Sequence, residues 1–210
     1  MVNRAIPIAT SVIDGAWCYL QKLGEKPKLS GTQQEIYTSI FGTYSEANYL
    51  HVYKHFRAKA RDFELSGQGV KKNKLTYEAA SKDEAMFKDK KGKTTERVSW
   101  VRSEGYRVYL GPRFMKATPG EQVRALVHEP MHFRYTADPG SSAGPTPGAN
   151  SASEENYDTS AIKALAKKSP ELAINNADSL TMFAAKVYGL EGCPKTADKA
   201  TIDSLQKIFK

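Results

Sequence analysis

The chain has 210 residues, of which 40% are hydrophobic and 26% are charged, as in ordinary globular proteins with a sizeable core. No run of about eighteen apolar residues occurs, so the sequence predicts no membrane-spanning helix. The net charge of +8 favours anionic surroundings without choosing among nucleic acid, cell envelope and acidic substrates. Residues 1–20 lack the apolar core of a Sec-type signal peptide, which predicts a mature form or export by another route.

Helical periodicity dominates the first third of the chain. We assign residues 1–65 to an N-terminal helical layer and residues 66–210 to a catalytic region, both within one compact domain. The predicted helices run over residues 13–23, from Ser30 or Thr32 to Gly42, and from Ser45 to about Leu65.

Two pairs of side chains in the sequence require an interpretation of their own. His51 and His55 are one helical turn apart, but the aromatic residues around them indicate helix packing rather than a metal site. Cys18 and Cys193 are too far apart in sequence for a CxxC metal site. A single bridge between them and two buried free thiols are both compatible with the sequence.

Residues 66–93 are polar and rich in lysine. We interpret them first as a solvated loop region and second as a polyanion-binding patch, with one short helix over residues 82–87. The lysines of this stretch are Lys71, Lys72, Lys74, Lys82, Lys88, Lys90, Lys91 and Lys93.

The hydrophobic period then changes to two, which is typical of strands. Residues 98–102 alternate, residues 103–105 have the composition of a turn, and residues 106–110 alternate again. This pattern predicts a β-hairpin with one buried face, formed by Val98 and Trp100 together with Val108 and Leu110.

A helix start follows at Thr118. Thr118 serves as N-cap, Pro119 takes the first helical position, and Glu121 completes a capping box. The helix that begins here carries an apolar stripe formed by Val123, Leu126, Val127 and Met131.

The same helix carries a His-Glu-x-x-His motif. His128 and His132 are four residues apart, so both imidazoles lie on one face and can bind one ion. Glu129 can reach a water bound to that ion, which is the arrangement of zinc hydrolases. Pro130 removes an amide donor between the two histidines, and we expect it to bend the helix there.

Catalytic zinc needs three protein ligands and an open position for water. No histidine follows His132 in the sequence, so the third ligand must be sought among carboxylates. After an irregular loop rich in Gly, Pro and Ser over residues 138–153, we predict helices through residues 162–166, from Ser169, over residues 175–189 and over residues 202–209. The carboxylates available in and after the loop are Asp138, Glu154, Glu155 and Asp158.

The order of these segments resembles a known family. The His-Glu-x-x-His motif, a tyrosine-containing turn, Ala164-Leu165-Ala166, Asn175-Asn176-Ala177-Asp178-Ser179 and a nearby Phe183-Ala184 are similar to the deuterolysin and peptidyl-Lys metallopeptidases, the aspzincins. The resemblance implies an α+β, zincin-like domain, mostly helical with a small antiparallel sheet or hairpin. It also implies a Zn²⁺ cofactor.

The resemblance assigns roles residue by residue. It places Tyr157 on the family tyrosine and Glu154 on the position of the aspartate ligand, so zinc is expected on His128, His132 and Glu154. This chain departs from the family in having glutamate at that position and in lacking the Gly-Thr pair before it. Asp138 remains the rival third ligand.

The mechanism expected from these roles is hydrolysis by an activated water. Glu129 acts as general base, and Tyr157 donates to the oxyanion of the tetrahedral intermediate. The strand over residues 106–110 is expected to pair with an extended substrate. Asp178 stands where lysine-directed members bind the lysine ammonium, but Thr181 replaces a second acid, so lysine specificity is not expected; alternatively, Asp178 caps its helix.

The leading interpretation is therefore a zinc-dependent endopeptidase, exported as an effector or toxin. The alternatives are a zinc amidase acting on peptidoglycan and a catalytically idle basic binding module. The expected partners are a protein or peptide substrate and a cognate inhibitor or secretion machinery, whereas nucleic acid is not expected to be a partner.

Overall fold

Three helices form the N-terminal part of the chain. The computed structural model describes residues 2–67, 75–88, 92–101, 107–133 and 159–209, and it places α1 at Val2–Leu23, α2 at Gly31–Phe41 and α3 at Glu46–Gly67. Helix α1 begins eleven residues before the predicted start at Ile13, because Ala5, Ala9 and Val12 extend its buried stripe. The predicted limits of α2 at Ser30 and Gly42 are confirmed.

The third helix starts as predicted. The backbone N–H of Asn48 donates to Oγ of Ser45 at 3.1 Å, which satisfies one of the free donors at the start of α3. The predicted division of the domain between residues 65 and 66 stays a prediction.

A small mixed sheet lies in the chain after α3. It consists of β1 (Thr76–Ala79), β5 (Arg107–Leu110) and β4 (Ser99–Val101), in the spatial order β1-β5-β4. Strands β4 and β5 are antiparallel, and Trp100 stacks on Tyr109 with ring centroids 5.6 Å apart. The predicted hairpin pairing is confirmed, and its turn lies outside the described residues.

The sheet corrects the expectation that the strand at residues 106–110 pairs with a substrate. Strand β5 is parallel to β1 on one edge and antiparallel to β4 on the other, so its backbone groups are already used. Among the described residues, β1 and β4 are the outer strands of this sheet, and β4 and β5 both contact the helix that carries the His-Glu-x-x-His motif. Neither edge of β5 is therefore open to an extended substrate.

A short helix and a two-stranded ribbon connect β1 to β4. Helix α4 (Lys82–Ala85) is followed by β2 (Met86–Lys88), which pairs with β3 (Thr94–Glu96) in an antiparallel ribbon. The predicted helix over residues 82–87 is thus too long by two residues. It ends because Met86 adopts the extended conformation, with ψ of 133°.

The remaining helices include the one that carries the His-Glu-x-x-His motif. They are α5 (Pro112–Lys116), α6 (Pro119–Met131), α7 (Thr159–Lys168), α8 (Pro170–Ala173), α9 (Ala177–Val187) and α10 (Lys199–Ile208). Helix α6 carries the motif and packs against α1, α9 and α10, with β4 and α5 beside it. Among the described residues, no helix combines the length and apolar character that a bilayer span requires.

The core of the protein is built around α6. Val123, Leu126 and Val127 are fully buried in one apolar cluster that also includes residues of α1, α2, α3 and α9. Cys18 and Cys193 form a disulfide that ties α1 to the segment after α9, which decides between the bridge and the free thiols. The motif helix is thereby held from several directions.

Candidate active site

The start of α6 is fixed by its predicted capping box. The backbone N–H of Thr118 donates to Oε2 of Glu121 at 2.8 Å, and the N–H of Glu121 donates to Oγ1 of Thr118 at 3.4 Å. Gly120 permits a close approach of α10, because a Cβ atom there would lie 2.6 Å from the backbone nitrogen of Leu205. These contacts fix the position and the rotation of the helix.

Helix α6 ends one residue after Pro130. The N–H of His132 donates to the carbonyl of Glu129 and that of Phe133 donates to the carbonyl of Pro130, both at 3.1 Å. These i to i−3 bonds tighten the last turn, and the helix ends at Met131. The expected bend at Pro130 therefore takes the form of a tighter last turn, and both histidines still face the same side.

The two histidines present their Nε2 atoms to one point. These atoms are 3.1 Å apart, and the ring planes are inclined by 76°. Two nitrogens that bind one zinc ion at 2.0–2.1 Å with tetrahedral geometry are separated by about 3.3 Å. The geometry of His128 and His132 thus fits two ligands of a zinc ion.

Asp178 lies beside Nδ1 of His128, whereas Nε2 of the same ring faces His132. Its Oδ1 atom is 3.1 Å from Nδ1 of His128 and 3.0 Å from Nη2 of Arg124, and only 4% of the residue is exposed. Burial favours the neutral carboxyl, but His128 and Arg124 outweigh it and lower the pKa of Asp178. The same burial favours neutral His128, and the Asp178 carboxylate outweighs it and raises the pKa of His128.

This position of Asp178 matches a carboxylate that orients a metal-binding histidine. The helix cap predicted as an alternative for Asp178 is instead provided by Asn176, whose Oδ1 accepts from the N–H of Ser179 at 2.9 Å. Thr181 is buried, and its hydroxyl donates to the carbonyl of Ala177.

Glu129 is held in a buried position beside the histidines. Only 7% of it is exposed, and its Oε1 accepts from the hydroxyl of Ser99 on β4 at 2.9 Å. Burial raises the pKa of Glu129 above its ordinary value, although the charge of His128 and the Ser99 hydroxyl act in the opposite direction. A buried carboxylate with a raised pKa is suited to accept and return a proton.

Ser99 and Arg124 are residues of the site that the sequence analysis missed. Ser99 occupies one position of a predicted strand, and Arg124 one position of a predicted helix, so neither had a local signal of function. Their roles follow from contacts with Glu129 and Asp178 that join distant parts of the chain.

The remaining predicted site residues are not in the described ranges. Asp138, Glu154 and Tyr157 all fall within residues 134–158, outside the part of the chain that the structure describes. Among the residues it does describe, no group of three or more His, Cys, Asp or Glu side chains could hold a metal ion. The third zinc ligand thus stays a prediction.

The other histidine pair, His51 and His55, lies on α3 rather than on α6. His55 is 6% exposed on α3 and meets Phe56 edge to face, with ring centroids 6.3 Å apart. Burial lowers the pKa of both His51 and His55. The surroundings of the pair agree with the predicted role in helix packing.

Comparisons with known proteins agree with this geometry. A family model described as lysine-specific metallo-endopeptidase, that of the aspzincins, matches residues 28–185. The chain belongs to the aspzincin family. The protein is therefore a zinc metalloendopeptidase that acts on proteins or peptides.

A solved structure supports the fold of this aspzincin. A zinc peptidase from Grifola frondosa is 22% identical in sequence, with a TM-score of 0.54, and the match covers 86% of this chain and 90% of that one. The predicted α+β, zincin-like class is thereby confirmed. No curated protein sequence matches the chain.

Proposed function

We propose that this aspzincin hydrolyses peptide bonds with Glu129 as general base, and that it is an exported effector or toxin. The observation that carries the catalytic part is the position of Glu129. It lies buried beside two imidazole nitrogens only 3.1 Å apart, and the hydroxyl of Ser99 holds its carboxylate. This is the disposition that metal-assisted hydrolysis requires.

The proposed ligands are His128, His132 and Glu154. The chemistry that zinc supplies when bound is Lewis acidity, which lowers the pKa of a water and polarises a peptide carbonyl. Glu129 takes the proton of the attacking water and passes it to the leaving amine. Tyr157 donates a hydrogen bond to the developing oxyanion, and Asp178 orients His128 through Nδ1.

The disulfide supports the proposed export. Bridges such as Cys18–Cys193 form and persist in oxidising compartments and are rare in reducing ones. A peptidase that depends on such a bridge is best suited to act outside the cytosol. A cognate inhibitor and a secretion system are the partners that an exported effector would need.

The test combines metal content with hydrolysis. Purified protein is assayed for zinc and for cleavage of casein, with and without a chelator, beside Glu129→Gln and His132→Ala. We expect about one zinc per chain in wild type and in Glu129→Gln, less in His132→Ala, and a loss of activity of roughly 10²- to 10⁴-fold in Glu129→Gln. The exposed Glu35→Gln on α2 is the matched control and should be fully active.

Other results would contradict the proposal. Zinc-loaded wild type that cleaves no protein would indicate the idle binding module. Hydrolysis of peptidoglycan but not of casein would indicate the amidase. Undiminished proteolysis by Glu129→Gln would exclude this residue as the base.

A further inference from the structure

A cleft of about 500 Å³ opens beside Glu129 and His128. It runs along α6 towards the start of the helix, a distance of about 10 Å from His128 to Glu121 at 1.5 Å per residue. Its opposite wall is formed by β3 and the start of β4, and its far end by α5. A side chain of a bound peptide next to the scissile bond can enter this cleft.

The charged side chains that line the cleft are mostly cationic. Four cations and three carboxylates contribute to the lining: Arg97, Arg113, Lys116 and Arg124 against Glu96, Glu121 and Glu129. Glu129 is the proposed base, and the carboxylate of Glu121 accepts two hydrogen bonds from Thr118 in the capping box. Glu96 is the one lining carboxylate that has neither role.

Arg97 is the cation best placed to meet a substrate near the reacting bond. It is half-buried, two residues before Ser99, and its guanidinium lies over the ring of Phe87 at 4.3 Å from the ring centroid. Stacking of this kind holds the planar guanidinium in one orientation. Arg113 lies further along the cleft, on α5, and is exposed.

Asp178, the carboxylate that the sequence resemblance suggested for binding a lysine, already has a cationic partner. Asp178 is buried and its Oδ1 lies 3.0 Å from the guanidinium of Arg124, and it is Arg124 rather than Asp178 that lines the cleft. Thr181 is only 1% exposed and supplies no charge. The carboxylate of Asp178 is thus already engaged by Arg124 and His128 within the protein.

We propose that this cleft selects a substrate carboxylate, rather than a lysine, next to the scissile bond, with Arg97 as the principal specificity-determining residue and Arg113 as its support. The inference rests on the proposed function and gives it a substrate class. A guanidinium can bind a carboxylate through two parallel hydrogen bonds. Because the enzyme is an endopeptidase, this carboxylate is that of an aspartate or glutamate side chain.

The experiment uses fluorogenic peptides that differ at one position beside the cleaved bond. Peptides with Asp, Glu, Ala or Lys at that position are compared, each with a free and an amidated C-terminus. We expect kcat/KM for the best acidic peptide to exceed that for lysine by about tenfold or more, as for a hydrogen bond between charged groups. The preference for an acidic residue should survive amidation of the C-terminus, and its loss on amidation would contradict recognition of the side chain.

Substitution of the arginine tests its role. Arg97→Gln should abolish the preference, and Arg97→Lys should retain part of it. Arg107→Gln is the matched control, because Arg107 lies on β5 outside the cleft and pairs with Glu78 at 3.2 Å. Binding of labelled peptides to zinc-loaded Glu129→Gln, followed by fluorescence anisotropy, gives the same comparison without turnover.

The two proposals fail in different ways. Zinc-dependent cleavage that prefers lysine, or that ignores charge, would overturn the carboxylate preference and leave the peptidase intact. An acidic preference unchanged in a folded Arg97→Gln would remove Arg97 from its role. If neither casein nor any peptide is cleaved, the proposed function fails and the specificity fails with it.

Discussion

Oδ1 of Asp178 lies 3.1 Å from Nδ1 of His128, on the side of the imidazole away from His132. The two residues are on different helices, α9 and α6, so their contact joins the start of the catalytic motif to α9. A carboxylate at this distance fixes the ring orientation and leaves Nε2 for a metal ion.

Replacement of this carboxylate should weaken metal binding. We expect Asp178→Asn to lower zinc affinity by about 10- to 100-fold, because an amide neither fixes nor polarises the imidazole as a carboxylate does. Competition with a chromophoric chelator measures the affinity. Asp203→Asn, at an exposed pair with Lys199, is the control, and equal zinc affinity of the two variants would refute the orienting role.

Removal of the Ser99 hydroxyl should change kcat rather than KM. Ser99→Ala removes the hydrogen bond to Oε1 of Glu129, and we expect kcat to fall about tenfold with little change in KM. Steady-state kinetics on one peptide provide both constants. Ser39→Ala, whose hydroxyl bonds within α2, should behave as wild type. A change confined to KM would show that Ser99 acts on the substrate instead.

The capping box should make the stability of α6 depend on acid pH. Hydrogen bonds from Thr118 hold the pKa of Glu121 below its ordinary value of 4.5. Because the folded pKa is depressed, the contribution of Glu121 to stability is present above pH 4.5 and is lost as pH falls through the folded pKa. A carboxylate in the first turn of a helix contributes about 0.3–1 kcal/mol.

Thermal unfolding of Glu121→Gln and wild type over a pH series checks this. The glutamine keeps the hydrogen-bonding geometry but carries no charge, so wild type should be the more stable at neutral pH and the difference should vanish in acid. A difference that stays constant down to pH values well below the ordinary pKa would contradict the assignment.

The bridge between Cys18 and Cys193 should contribute strongly to stability. It spans 175 residues, for which the loss of chain entropy in the unfolded state corresponds to about 5 kcal/mol. We expect Cys18→Ala with Cys193→Ala to lower Tm by about 10 °C or more. Reductant should lower the Tm of wild type by a similar amount and leave the Tm of the double variant unchanged. If the double variant has the same Tm as wild type, the bridge does not contribute to stability.

Local signals predicted much of this protein. The capping box at Thr118, the alternation that pairs β4 with β5, and the end of α2 at Gly42 all depend on residues close in sequence. The face shared by His128 and His132 likewise follows from helical spacing. Such features need no knowledge of the rest of the fold.

The features that were not predicted depend on contacts between residues that are far apart in the sequence. Strand β1 lies in a polar, lysine-rich stretch whose own sequence does not indicate a strand. It forms because it pairs in parallel with β5, about thirty residues later, where Thr76 lies beside Arg107. The pairing of Arg124 with Asp178 joins residues 54 positions apart. Ser99 reaches Glu129 across 30 positions. No periodicity or capping rule reports such contacts.

The close approach of α10 to Gly120 has a consequence for the order in which the enzyme is assembled. Helix α6 is enclosed by α1, which opens the chain, and by α10, which is made nearly two hundred residues later. Until residues 199–208 have left the ribosome, one face of the catalytic helix lacks its cover and exposes apolar surface. The cover of the catalytic helix is therefore completed only after residues 199–208 have been synthesised and have packed onto it.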